Sequence, residues 1–333
     1  QRHELVVQLG RRLLSPIDWA ALPERNLSRN YGQPTLPYAA FAAAYLVKID
    51  RRLVYMTDLR QCLVEHPALC WLLGFPIPTR LGLPGSAQAE ACLPTQRHLA
   101  RLLRQIPNAY LQALLDQTVS LLRAELADVC SDFGTTVSLD TKHVIAWVKE
   151  NNPKAYQKRS ERFDKDHQPS GDPDCKLGCK RRHNQRTKTE ASVTPLTDAV
   201  PAKGLRIGEF FWGYGSGVVA TKVPEWGEFV LAEWTQPFNC SDVSYFFPLM
   251  ADVERRLGFR PPFATLDAAF DCWYVYEHFD QAGGFAAVPL VTKGGYTRTF
   301  DPDGFPLCKA GLPMPLKLTF MVRKGVLVPH QKG

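Results

Sequence analysis

Thr136-Val137-Ser138-Leu139-Asp140-Thr141 and Phe263-Ala264-Thr265-Leu266-Asp267-Ala268 are built alike. In each, apolar or β-branched residues alternate with others, a period of two that predicts a strand with one buried face. Each run closes on a single carboxylate. Pro261-Pro262 opens the second run, and a helical pattern starts soon after Asp267. Two aspartates at the carboxyl ends of two strands can converge on one point, where they repel unless a cation sits between them. Oxygen ligands of this kind suit magnesium. The plainer reading of each aspartate is a cap on the turn or helix that follows.

Working outward from the first run, Val144 to Val148 continues an extended or short helical apolar segment. Lys149 to about Thr197 is polar, with too few apolar residues for a core, and reads as a surface excursion or a partly disordered segment. Lys176, Lys180, Arg181, Arg182, Arg186 and Lys188 fall in its second half with no acidic residue between the first and the last. That is the clearest polyanion-binding footprint in the chain, although a long solvated loop also collects charge. Strands return at Gly208: Glu209 to Tyr214 and Gly217 to Val223 read as a hairpin about Gly215-Ser216, and Glu228 to Thr235 as a third strand. Asp242 to Leu257 is amphipathic and stops at Gly258. After the strand ending on Asp267 come a helix from about Cys272 to Gln281, with Asp271 as its N-cap, and a strand Phe285 to Thr292. Pro289 makes that strand an edge or an irregular one. Strands that begin antiparallel and continue through helical crossovers predict a mixed α/β sheet.

From Val6 to about Ala127 the period is helical instead. Helices are expected over Tyr38–Leu46, Met56–Leu63, His66–Leu73, Thr95–Arg104 and Asn108–Val129, with a Gly/Pro-rich connector from Pro76 to Pro94. Arg97, Arg101 and Arg104 share one helical face beside His98. Such a stripe is either a solvated bundle face or a surface that meets DNA.

The 333 residues allow two domains, and 45% hydrophobic with 22% charged residues describes an ordinary globular chain. The net charge of +7 is a mild excess whose weight lies in its clustering. No apolar run approaches the ~18 residues a membrane span needs, and no secretory signal is visible. Nine scattered cysteines, an odd number, fit reduced thiols in the cytoplasm better than a disulfide framework.

The order and setting of these segments resemble the DDE-type transposases of bacterial insertion sequences. That family's first acid ends its first strand, as Asp140 does here, and its second stands in an Asp-x-x-aromatic-Asp phrase, here Asp267-Ala268-Ala269-Phe270-Asp271. Asp172-Pro173-Asp174-Cys175-Lys176-Leu177-Gly178-Cys179-Lys180 looks like the phrase before the second strand in some members. The resemblance covers nearly the whole chain. It implies a helical DNA-binding region over residues 1–130 and a ribonuclease-H-like catalytic domain over 131–295, with the basic loop 149–197. Residues 296–333 would begin a β-rich insertion. It also implies magnesium-dependent phosphoryl transfer on double-stranded DNA, with Asp140 and Asp267 as catalytic metal ligands and a homodimer as the active complex.

One departure is large. Such enzymes need a third carboxylate, a Glu on a later helix, and the last Glu in this sequence is Glu277. Asp301-Pro302-Asp303-Gly304 is turn chemistry, and Leu316 to Val328 reads as one or two strands. The chain also begins without Met. The expectation is therefore a fragment cut inside the insertion, its third acid beyond Gly333, inactive as it stands. The rivals are a non-catalytic DNA-binding remnant and a magnesium-dependent nuclease of the same fold. A zinc site at His167, Cys175, Cys179 and His183 is disfavoured, because its spacing matches no common finger.

Overall fold

The first hydrophobic core is made by helices alone. In the computed structural model, which describes residues 2–28, 35–76, 85–152, 164–180, 209–289, 299–307, 311–313, 317–323 and 326–332, these helices are α1 (Arg2–Leu14), α2 (Tyr38–Asp50), α3 (Met56–Glu65), α4 (Pro67–Leu72), α5 (Gly85–Cys92), α6 (Gln96–Gln105) and α7 (Asn108–Glu125). The Ala-rich α2 is deeply buried, with Ala40, Phe41, Ala42, Ala43 and Ala44 all in the core, and packs against α6 and α1. Small side chains let its neighbours approach closely from several sides. Asp18 caps a single 3-10 turn at Trp19–Ala21. The segment read as a Gly/Pro connector contains α5, whose polar residues surround one fully buried position, Ala89. One buried contact in eight residues is too weak a periodic signal to read.

The 18-residue α7 belongs to two cores. Its Tyr110 closes the helical core, and its Val119 opens a second core that runs to Phe279 beneath a mixed sheet. That sheet contains β1 (Thr136–Ile145), β2 (Lys176–Lys180), β3 (Glu209–Val223), β4 (Gly227–Pro237), β5 (Phe263–Leu266) and β6 (Phe285–Ala287). β1 pairs antiparallel with β3 and parallel with β5, and β5 pairs parallel with β6. β2 and β4 both pair antiparallel with β3. Helices α8 (Phe246–Leu257) and α9 (Trp273–Asp280) make the crossovers to β5 and β6. Gly258, at φ 74°, ends α8 in the left-handed conformation that the sequence predicts for it. Two further strands, β7 (Lys317–Arg323) and β8 (Val326–Lys332), form a separate antiparallel hairpin, and Gly304 N–H donates to Asp301 O at 3.1 Å in the expected turn.

Two sequence expectations fail instructively. Gly215-Ser216 is no turn: β3 runs unbroken for 15 residues through it. Its glycines serve packing instead. The ring of Tyr245 lies where side chains at Gly215 and Gly217 would be, and the Tyr245 hydroxyl donates to Gly215 O at 2.8 Å. The actual hairpin turns at 224–226, with Glu225 at φ 65° and Gly227 at φ 113°. Nor does Asp140 end its strand. β1 continues five residues further because β3 still pairs with it as far as Ile145↔Gly213.

α8 is locked to α7 by a buried arginine. The Arg256 side chain is fully buried and donates to Asp116 Oδ1 at 2.6 Å, Gln112 Oε1 at 2.6 Å and Leu231 O at 2.9 Å. Arg255 adds a two-pronged contact to the same Asp116 at 2.7 and 3.0 Å. A buried guanidinium is tolerated only when its donors are satisfied in this way.

Candidate active site

The parallel pairing of β1 with β5 runs from Thr136↔Phe263 to Leu139↔Leu266. Asp140, still within β1, and Asp267, the residue just after β5, come next, so they stand side by side where the parallel pair stops. Alternation along both strands sends Val137, Leu139, Ala264 and Leu266 into the core and leaves Ser138, Asp140, Thr265 and Asp267 on the outer side. The period of two visible in the sequence is what puts both carboxylates on one face.

Each aspartate is also a local hydrogen-bond acceptor. Thr141 N–H donates to Asp140 Oδ1 at 2.8 Å. Ala269 N–H donates to Asp267 Oδ1 at 2.9 Å, which caps the short turn Ala268–Phe270. The capping reading of Asp267 is thus realised, and it leaves the second carboxylate oxygen outside that bond. Asp271 does not cap α9. Cys272 occupies that position, and Asp271 accepts from the Tyr276 hydroxyl at 3.0 Å instead.

A third carboxylate, Asp242, comes from the start of the segment whose amphipathic pattern runs to Leu257. Thr141 points to the opposite side of β1 from Asp140, and its hydroxyl donates to Asp242 Oδ1 at 2.9 Å. Asp242 lies in the turn Asp242–Tyr245 that leads into α8, and this turn packs against the turn after Asp267. Burial raises the pKa of Asp267; the Ala269 amide partly offsets this, and the charges of Asp242 and Asp140 raise it further. Asp242 carries no strand-end signature, so only the path of the chain reveals it. Glu233 stands on the same sheet face as Asp140, since Val218 pairs with both. Its Oε1 already accepts from Ser216 at 2.8 Å and Thr235 at 2.6 Å.

The sheet face carrying Asp140 and Asp267 is open among the described residues. Phe263 and Phe285 are exposed on it with their ring centroids 5.3 Å apart, and Val144 on β1 and Val230 on β4 are exposed as well. No group of three or more His, Cys, Asp or Glu among the described residues is arranged to hold a metal ion.

The predicted basic residues separate. Arg97, Arg101 and Arg104 are exposed on α6, although Arg101 turns back to His98 Nδ1 at 3.1 Å and Arg104 Nε donates to Ala100 O at 3.3 Å. Lys176 is half-buried and donates to Gln168 Oε1 at 2.8 Å. Lys180 pairs through its backbone with Glu209, and Arg181, Arg182, Arg186 and Lys188 lie outside the described residues. Of the zinc candidates, His183 also lies outside them. Cys175 is buried, with its thiol donating to Asp172 O at 3.2 Å and pushed up to about 11 by burial, whereas Cys179 is exposed. No described helix is long and apolar enough to cross a membrane. Comparison of the chain with protein-family models, with curated protein sequences and with solved structures returned no match.

Proposed function

We propose that this chain carries the metal-dependent phosphoryl-transfer centre of a DNA transposase of the DDE type, with a ribonuclease-H-like sheet and a helical DNA-contacting region before it. The observation that carries the reading is the juxtaposition of Asp140 and Asp267 at the end of the only described stretch where β1 has a parallel neighbour. The strand path β3-β1-β5-β6, with an antiparallel half on which β2 and β4 both pair with β3 and a parallel half at β1, β5 and β6, is compatible with that fold.

The donor set is chemically apt. Asp140 and Asp267 offer only hard oxygen atoms, and their like charges favour a divalent cation beside them. These two residues would hold magnesium, which supplies charge neutralisation at a DNA phosphodiester and activation of the attacking oxygen. The chain's own work is positioning: the Ala269 amide orients Asp267, and the Thr141–Asp242 bond fixes the end of the parallel pair. Where protein groups do little covalent chemistry, such positioning sets the rate. The open sheet face beside the aspartates gives a further carboxylate room to approach, and without one the turnover of this chain is weak. Arg97, Arg101, Arg104 and the basic positions from Lys176 to Lys188 supply the contacts to double-stranded DNA, and the active complex is a homodimer.

Manganese, a spectroscopic stand-in for magnesium, tests the site directly. Paramagnetic titration of the purified chain should reveal a site that Asp140→Asn and Asp267→Asn each weaken at least tenfold. Equal manganese binding by wild type and both variants would sink the proposal. That no three-ligand group occurs among the described residues favours one second reading, a DNA-binding remnant without catalysis. Magnesium-independent binding of duplex DNA, with no nicked or joined product even when excess manganese is present, would select it.

A further inference from the structure

The helical region holds a cavity of about 570 Å³ whose walls include Arg25, Thr35, Leu36, Thr95, His98 and Arg101. Among the described residues no carboxylate lines it, and neither Arg25 nor Arg101 belongs to an ion pair. Arg25 is held in place rather than free to swing. Its Nε donates to Leu36 O at 2.7 Å, and its guanidinium lies 4.7 Å from the centre of the Tyr38 ring. Arg101 reaches in from α6 and donates to His98 Nδ1 at 3.1 Å, which leaves the imidazole proton on Nε2. The His98 ring is stacked on Phe41, so its orientation is fixed as well.

Two further observations bear on what the pocket suits. The Thr35 hydroxyl oxygen is buried and has no hydrogen-bond partner among the described residues, a condition that costs free energy unless a ligand or water satisfies it. Burial and then the charges of Arg101 and Arg25 depress the pKa of His98, so two cations crowd a group that would otherwise take a third charge. Preset guanidinium groups, a hydroxyl and an imidazole facing a polar cavity make a receptor for tetrahedral oxyanions.

We propose that this pocket binds a phosphate group, through Arg25, Arg101, His98 and Thr35. The same chemistry is presented by a phosphate on a nucleic-acid strand and by a free nucleotide. Arg101 also belongs to the exposed face with Arg97 and Arg104, so a strand crossing that face could lower one phosphate into the cavity. The proposal does not rest on the two-aspartate centre, and it stands or falls separately from it.

The test uses the full chain and its Asp140→Asn variant. The His98 ring resonance, assigned by its loss in His98→Gln, is followed by NMR while inorganic phosphate, a deoxynucleoside monophosphate or a short DNA duplex is added. Each phosphate bound should raise the His98 titration midpoint, because a dianion offsets the two arginines. Arg101→Gln should weaken phosphate binding about tenfold, the effect of losing one charge-assisted hydrogen bond, and Thr35→Val should weaken it less. Arg97→Gln, outside the pocket, should leave inorganic phosphate binding unchanged. Arg25 also anchors Leu36 and Tyr38, so its loss risks the fold and Arg101 is the better probe. Duplex that displaces phosphate and depends on Arg101 identifies a strand phosphate as the occupant; saturation by the mononucleotide alone identifies a free nucleotide. A His98 signal that none of the three probes moves, or equal losses from Arg97→Gln and Arg101→Gln, would overturn the proposal.

Discussion

The Thr141 hydroxyl donates to Asp242 at 2.9 Å and so joins the outer half of β1 to the turn that begins α8. Because Asp267 lies against the same turn, three carboxylates from three separate elements share one end of the sheet. Asp242→Asn removes one charge that holds the Asp267 carboxyl above its ordinary pKa. Carbon-13 NMR titration of Asp267 should show its midpoint falling in Asp242→Asn, and falling less in Asp140→Asn. An unchanged midpoint in Asp242→Asn would contradict the shared electrostatic environment.

Asp267→Asn should stabilise the fold at neutral pH. A carboxyl whose folded pKa is raised holds its proton more tightly when folded, so ionising it costs stability. The cost is absent below the unfolded pKa, near pH 4, and complete above the folded value. Asparagine keeps an oxygen to accept from Ala269. The residue is exposed, so solvent screening holds the gain below about 1 kcal/mol, or a few degrees in melting temperature. Melting curves between pH 3 and 7, at roughly unit steps, should show the variant ahead at the top of the range and level at the bottom.

Removing Arg256 should be among the most damaging single changes. Arg256→Ala leaves Asp116 with one guanidinium partner and Leu231 O and Gln112 with none from this side chain, at a cost of about 3–5 kcal/mol in denaturant unfolding. The partner carboxylate has its own pH signature. Burial pushes Asp116 up, but hydrogen bonds and charge from Arg255 and Arg256 outweigh this and hold it below the usual range. Its contribution is present above the unfolded pKa and is lost as pH falls through the folded one. Asp116→Asn should therefore differ most from wild type at neutral pH, with the gap closing as pH falls below about 4 and through the folded pKa. A difference that grows on acidification would refute that pairing.

Gly217→Ala should push Tyr245 and Leu249 off β3, since a Cβ at that position overlaps both side chains. The expected loss is about 1–3 kcal/mol, compared with roughly 1 kcal/mol for Tyr245→Phe, which removes only the bond to Gly215 O. In a Tyr245→Ala background the glycine substitution should cost much less, because the main obstacle is gone. Additive losses in that cycle would show that the glycine is needed for another reason.

What the sequence determined by itself was whatever depends on neighbours along the chain. Alternation at Thr136–Leu139 and Phe263–Leu266 marked two half-buried strands and put Asp140 and Asp267 on their outer side. Helical spacing marked most of the first 125 residues, and Gly258 marked the end of α8. The rest was decided by contacts between segments far apart in sequence. Local propensity made a turn of Gly215-Ser216, but Tyr245, thirty residues on, needs that space in a continuous strand. A carboxylate after two short alternating residues looked like a strand end, yet pairing with β3 carries β1 past Asp140. Asp242 and the Arg25–Arg101 pocket carry no periodic or spacing signal, because a hydrogen bond across the sheet and a cavity between helices exist only once the chain has folded. Strand pairing and the crossover helix bring the aspartates together, and neither partner encodes that meeting alone.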